Sequence, residues 1–353
     1  MLTYSIIFIL SLCLSYLSIL AFSRLFYKYD IVDNPKKYWK KRKPIPYSMG
    51  VIFFLVFFVV SYFFVEPSYK LLLIWLFGWV ITLVSFFDDM ISLSPKARLV
   101  LQIIIGATIG ITSIKIGYIS NIFGGIVDLE TLHLWIFGKE IFLIPLIFTI
   151  IWYVFVFNAL NWSDGIQGNT SGLALICFFV IFLLGLKLFV TDTYLGGKQN
   201  AEFIMQLSII LVAVLIPFLY FDYKEKILMG DSGTMFLGFM LATLAIISWG
   251  KVATVLSVFG IYAVDAIYVI IRRLLKGKNP LSWDFTHLHH RLSDVGFSKN
   301  QILLLVFSLS FFFGTTSLFL DKTGKIIVFF LIAFFVVFLS FIVEKIKKIS
   351  FRK

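Results

Sequence analysis

Apolar runs of about 20 residues recur from one end of this chain to the other, and each is long enough to cross the hydrocarbon of a bilayer. No soluble core could hide them all: of 353 residues 60% are hydrophobic, only 14% are charged, and the mean hydropathy is +0.98. Lipid must therefore be the solvent for most side chains. In lipid every backbone polar group needs an internal partner, which favours helices. Soluble enzymes, secreted disulfide scaffolds and disordered chains are excluded. Cys13 and Cys177 lie inside apolar runs, where a free thiol is a small hydrophobe, so they give no redox or metal argument.

The expected fold is an all-α polytopic membrane protein. A ruler of roughly 20 residues per span places eleven transmembrane helices near 2–24, 48–65, 70–87, 99–117, 140–157, 171–190, 202–220, 234–250, 252–271, 301–319 and 326–344. The first segment has no basic n-region and no small-residue cleavage pattern before Arg24, so it reads as a retained helix. An odd count puts the termini on opposite sides. Sorting alternate loops gathers 23 of the 31 Lys and Arg on one side, which makes the C-terminus cytoplasmic and the N-terminus external. The loops 25–47, 88–98, 158–170, 221–233 and 272–300 fall on the cytoplasmic side and form the expected active-site face of a single domain, 1–353. Around Gly124-Gly125 the longest external loop alternates loosely between apolar and polar residues and admits a small β-hairpin. The net charge of +12 sits between apolar runs without aromatic platforms on a soluble face, so it points to membrane lipids and orientation and not to nucleic acid.

Acids, amides and imidazoles collect in those loops. Asp88 and Asp89 end the third helix; adjacent carboxylates repel unless a cation lies between them, although alone such a pair also reads as a solvated helix end. In MGDSG, 229–233, Gly230 and Gly233 flank Asp231 at a helix start, where backbone N–H groups and the positive dipole end can hold phosphate beside a carboxylate-bound metal; a plain N-cap is the alternative. NALNWSDGIQG, 158–168, puts Asn158, Asn161 and Asp164 on one side if the helix before it continues, with amides suited to uracil or an N-acetyl group. His287, His289, His290 and Arg291 crowd into five residues. Zinc would want Cys or Glu at ligand spacing, and there is none; a grip on pyrophosphate suits the imidazoles and guanidinium better. Asp265, about 10 Å inside the membrane at the helical rise, is either a functional carboxylate or a partner for Arg272 or Arg273. The lysine-rich stretch before PIPYSMG also satisfies orientation alone.

In this order, DNPKK with PIPYSMG, the Asp88-Asp89 pair, NALNWSDG, FDYKEKILMGDSGTMFLG and VDAIYVIIRRLLKGKNPLSWDFTHLHHRL resemble the polyprenyl-phosphate N-acetylhexosamine-1-phosphate transferases, the glycosyltransferase 4 family. The resemblance spans nearly the whole chain. HLHHRL is closest to the branch that initiates O-antigen and teichoic acid synthesis, and muramoyl-pentapeptide transferase is a related alternative. The resemblance implies transfer of a sugar 1-phosphate from a UDP-N-acetylhexosamine to undecaprenyl phosphate at the cytoplasmic face of a bacterial plasma membrane, as the first membrane step of a cell-envelope glycan. It implies catalytic Asp88, Asp89 and Asp231, with the same three as metal ligands for magnesium or manganese. It further implies substrate contacts from Asn158, Asn161, Asp164, His287, His289, His290 and Arg291, and is compatible with a homodimer. The chain departs from the family pattern at Gln167, at Met49-Gly50 and in the lysine-rich run. A transporter or flippase would want charges near the midplane and two matching halves; only Asp265 is well inside, and no half-to-half correspondence is visible.

Overall fold

The computed structural model describes residues 2–35, 42–112, 114–121, 125–136, 138–192, 195–248, 252–277 and 286–350. The lysine run at 36–41, Gly124 and the stretch 278–285 of the last family motif lie outside the described residues. The helices are α1 Leu2–Lys28, α2 Val51–Phe64, α3 Tyr69–Ile91, α4 Pro95–Gly110, α5 Leu143–Trp162, α6 Asn169–Thr191, α7 Leu195–Tyr223, α8 Gly230–Ile247, α9 Val252–Leu275, α10 Leu288–Asp294, α11 Lys299–Ser317 and α12 Lys322–Ser350. The protein is an all-α polytopic membrane protein.

Every one of the eleven expected segments falls on a helix, and α10 is an addition. Among the described residues nine helices are long and apolar enough to cross a membrane. The other two expected spans are shorter than the sequence suggests: α2 has 14 residues and α4 has 16. At about 1.5 Å per residue they reach only ~21 and ~24 Å. The causes are local. Backbone bonds tie Leu228 N–H to the Pro46 carbonyl (2.9 Å), Met49 N–H to Leu228 (3.0 Å) and Gly50 N–H to Met229 (2.9 Å), so the chain through PIPYSMG is clasped to residues 228 and 229 and turns into the helix only at Val51. After α4 the backbone leaves the helix toward the hairpins, with Ile116 N–H held by the Thr149 hydroxyl at 3.1 Å.

The chain divides into two compact units, residues 1–93 with 167–244 and residues 94–166 with 245–353. In the first, α7 packs against α6, α1 and α2. Phe53 of α2 meets Phe218 of α7 edge-on at 4.5 Å, an arrangement the ring quadrupoles favour. The Ser15 hydroxyl of α1 donates to the Val214 carbonyl at 2.9 Å, a bond whose alternative in hydrocarbon is an unmet polar group. α8 is apolar after its first turn and is buried along nearly its whole length, as expected for a helix hydrophobic all round.

In the second unit, α9 packs against α5, α11 and α12, and α4 lies along α5. Two antiparallel hairpins fill the loop between α4 and α5, where a single one was expected. In the first, β1 Tyr118–Ser120 pairs with β2 Ile126–Asp128; in the second, β3 His133–Ile136 pairs with β4 Lys139–Phe142.

Candidate active site

Two clusters of functional groups form, each wholly within one unit. The first is built on the clasp. Because residues 46–50 are held beside 228 and 229, Ser48 lies at the start of α8, where Asp89 from the last turn of α3 also arrives. Asp89 Oδ2 accepts from the Ser48 hydroxyl (2.5 Å) and the Ser232 N–H (3.2 Å), and Oδ1 accepts from the Asp231 N–H (2.8 Å). The Ser48 and Ser232 hydroxyls are 2.9 Å apart. Asp89 therefore caps α8 from another helix and meets its positive dipole end. The N–H groups of Asp231 and Ser232, which the sequence offers to a phosphate, are bonded to this carboxylate. Gly230 has a φ of +73°, and a Cβ there would stand 2.8 Å from Ser48 Cα. Only glycine lets the three segments converge.

Asp88 behaves differently from its neighbour. It is buried, and its Oδ1 accepts from the Leu93 N–H at 2.6 Å, closing the left-handed turn at Ser92 that ends α3. Asp231 is only partly buried, on the first turn of α8. A buried carboxylate not singled out from the sequence, Asp222, accepts from the Gly168 N–H (3.1 Å) and the Ser171 hydroxyl (2.6 Å), fixing the start of α6. Ser48 and Asp222 lie within quoted motifs, yet nothing in their spacing marks them as partners of groups so distant in sequence.

The second cluster is built on Asp265, which is fully buried on α9. Its oxygens accept from His287 Nδ1 (3.0 Å), from the Leu288 N–H (3.1 Å) and from Arg291 Nη2 (2.5 Å). The local pairing with Arg272 or Arg273 does not form: Arg272 bridges Glu344 at 3.1 Å, and the Arg273 guanidinium lies 5.5 Å from the Trp162 ring centroid. Trp162 also stacks on His287 at 5.2 Å, and Arg291 lies 4.8 Å over the Tyr268 ring. Asp265 thus anchors the short helix α10 that carries His289, His290 and Arg291.

His289 is buried with neither ring nitrogen bonded, and Arg291 Nε and Nη1 are likewise buried and unmet. Burial holds the His289 imidazole well below the usual histidine range, and the nearby His290, His287 and Arg291 push it the same way, so it is neutral. A Cβ on Gly165 would collide with His289 Nε2, so the turn after α5 lies directly on this imidazole. α5 ends at Trp162: Asn158 and Asn161 are on its last turns, and Asp164 is exposed in the turn beyond, its N–H bonded to the Asn161 carbonyl at 3.1 Å. Asn158 donates its amide to Gln102 (2.8 Å) and the Val154 carbonyl (2.7 Å).

Among the described residues no three His, Cys, Asp or Glu side chains stand together as a metal cage. Magnesium is usually held by one or two carboxylates and completes its octahedron with water and phosphate oxygens. The hard oxygens of the Asp88, Asp89 and Asp231 region, in a glycine-walled cradle, fit that demand; the histidine cluster, with Asp265 committed to three donors, does not.

Comparisons with known proteins identify the family. Residues 71–249 match the family model described as glycosyl transferase family 4, which is about half of the chain. The chain is 29% identical over 275 residues to the probable undecaprenyl-phosphate N-acetylglucosaminyl 1-phosphate transferase of Bacillus subtilis, covering 76% of this chain and 70% of that protein. It is 25% identical over 296 residues to the undecaprenyl-phosphate alpha-N-acetylglucosaminyl 1-phosphate transferase of Escherichia coli, covering 79% and 73%. It is also 27% identical over 289 residues to a phospho-N-acetylmuramoyl-pentapeptide-transferase of Prochlorococcus marinus, covering 77% and 76%. With the Asp pair of α3 and the glycine-flanked Asp231 of α8 both inside the matched region, the chain belongs to glycosyl transferase family 4.

Proposed function

We propose that the protein transfers N-acetylglucosamine 1-phosphate, or a closely related N-acetylhexosamine 1-phosphate, from its UDP-sugar to undecaprenyl phosphate. The products are the polyprenyl diphospho-sugar and UMP. The observation that carries this reading is the Asp89 clasp, which fixes Asp231 at the start of α8 in a chain whose relatives bear those transferase names. An oxygen of the lipid phosphate forms a bond to the phosphorus that bears the sugar, and the bond from that phosphorus to UMP breaks.

Each residue has a task in that displacement. Asp231, with Asp88 or Asp89, would hold magnesium, which supplies positive charge where two anionic phosphates must approach. Asp89 has three of its roughly four lone-pair positions filled, so its main work is to position α8. By the family resemblance, Asp88 orients the lipid phosphate and takes its proton. The unmet Arg291 donors and the neutral His289 bind the donor's phosphates and hydroxyls, and Asn158, Asn161 and Asp164 border the sugar nucleotide. The charge split of the loops supports a cytoplasmic location for these groups, and the bacterial relatives support a bacterial plasma membrane.

The test is UMP release by the purified full-length chain from UDP-N-acetylglucosamine and undecaprenyl phosphate with magnesium. We expect turnover that EDTA abolishes; turnover unchanged by EDTA would remove the metal assignment. The Prochlorococcus relative favours one competing donor, UDP-N-acetylmuramoyl-pentapeptide. Its exclusive use in the same assay would replace the N-acetylglucosamine reading.

A further inference from the structure

We propose that the groove between α9 and α12 binds one anionic glycerophospholipid, and that its occupancy reaches the His287–Arg291 loop through Tyr268. The groove is a cavity of ≈ 440 Å³. Its apolar walls come from Ile267, Ile271 and Leu275 of α9 and from Phe329, Ala333 and Val337 of α12. At one end Arg272 and Lys276 complete the lining.

Length, charge and position select the occupant. The α9 wall runs from Val264 to Lys276, and twelve residues at ~1.5 Å each make a wall of ~18 Å. Half of a ~30 Å hydrocarbon core is ~15 Å, so the groove matches a chain confined to one leaflet. A long polyprenyl chain overruns it. Glu344 takes one charge of the mouth by pairing with Arg272, but Lys276, which also lines it, is exposed beyond the end of α9, which leaves the mouth positive. Basic groups at that depth attract an anionic headgroup by about 1 kcal/mol each, and gain little from a zwitterionic one.

Tyr268 gives the site a consequence. Its ring lines the groove and lies 4.8 Å under the Arg291 guanidinium, and its hydroxyl donates to Glu344 at 3.3 Å. An acyl chain against this ring limits its motion, and with it that of the arginine whose other partner is Asp265. The effect on turnover rests on the transferase reading, whereas lipid binding itself does not.

The test is native mass spectrometry of the detergent-purified full-length protein with added phosphatidylglycerol or phosphatidylcholine, alongside KM for UDP-sugar in vesicles of either lipid. One phosphatidylglycerol should be retained with roughly tenfold preference. Ala333→Trp, which fills the groove, should abolish retention, and Lys276→Glu should weaken it. Tyr268→Leu should keep the lipid but remove its influence on KM. Equal retention of both lipids overturns the proposal. So does Ala333→Trp leaving phosphatidylglycerol bound while raising KM for undecaprenyl phosphate, which gives the groove to the acceptor. If Ala333→Trp does not fold, Lys276→Glu on the exposed end decides. Absence of any UDP-sugar turnover in the wild type would count against the transferase reading and leave the retention result to stand alone.

Discussion

Asp89 and Asp231 are both acids at the start of α8, yet their surroundings demand opposite responses to the same substitution. Asp89→Asn turns one accepting oxygen into a donor that must face the Ser48 hydroxyl or the N–H groups of Asp231 and Ser232. Leaving such a buried donor unmet costs about 1–3 kcal/mol, so this variant should melt earlier in detergent as well as lose activity. Asp231→Asn should keep the wild-type melting temperature and release UMP about 100-fold more slowly or worse, which is ~2.7 kcal/mol of barrier. Full turnover by Asp231→Asn would remove that residue from the chemistry. His289 adds a pH dependence of definite sign. Its folded-state pKa lies below the unfolded value of ~6.5, so as pH falls through ~6.5 the unfolded chain takes up a proton that the folded chain refuses. The stability tied to its neutral form is present above that pH and is lost below it, by at most about 1.4 kcal/mol per pH unit. Thermal unfolding between pH 7.5 and 5.5 should show this decline in the wild type and a flatter one in His289→Phe; parallel curves would mean that the imidazole takes up its proton as readily in the fold as in the unfolded chain.

At the scale of elements, the clasp between residues 46–50 and α8 can be broken without touching a polar group. A Cβ on Gly50 would run into the backbone of Gly233, so Gly50→Ala must push α2 away from α8 and pull Ser48 from Asp89. We expect it to abolish UMP release, while Gly196→Ala, with nothing within 4 Å of its new methyl, stays active. A fully active Gly50→Ala would show that α8 is held by other means. The same clasp marks the limit of what a sequence reveals. The helices were legible because length and hydropathy decide them in lipid, and Asp88, Asp89 and Asp231 because charge at a membrane boundary is costly and therefore conspicuous. The shortening of α2 was not, because it comes from backbone bonds to residues some 180 positions away, and backbone donors carry no side-chain pattern. Of the two readings of Asp265, a functional carboxylate or a partner for Arg272 or Arg273, the second does not form, for a related reason. Helical spacing pointed it at Arg272, whereas the carboxylate is taken by His287 and Arg291, brought from 22 and 26 residues on by a segment with no period to read.

For the whole molecule, the open question is which side of the bilayer each loop faces, and α2 and α4 decide it. At ~21 and ~24 Å they fall short of a ~30 Å hydrocarbon core. If one of them failed to cross, every later loop would change sides, and the basic loops around α3, α9 and the C-terminal tail would no longer share a side with the lysines before α2. Mismatch costs only fractions of a kcal/mol per ångström, through local thinning or polar groups reaching for the interface. Moving so many Lys and Arg to the outer face is opposed far more strongly. Crossing by both short helices is therefore the favoured state, with the C-terminus inside. A fluorescent protein fused after Lys353 should fluoresce in the cytoplasm, and alkaline phosphatase inserted at Gly196, where the start of α7 has open space around it, should be active outside. Should the C-terminal fusion instead report the outside, one short helix does not span, the helix count is even or the N-terminus is inverted, and the proposed cytoplasmic side of the catalytic loops falls with it.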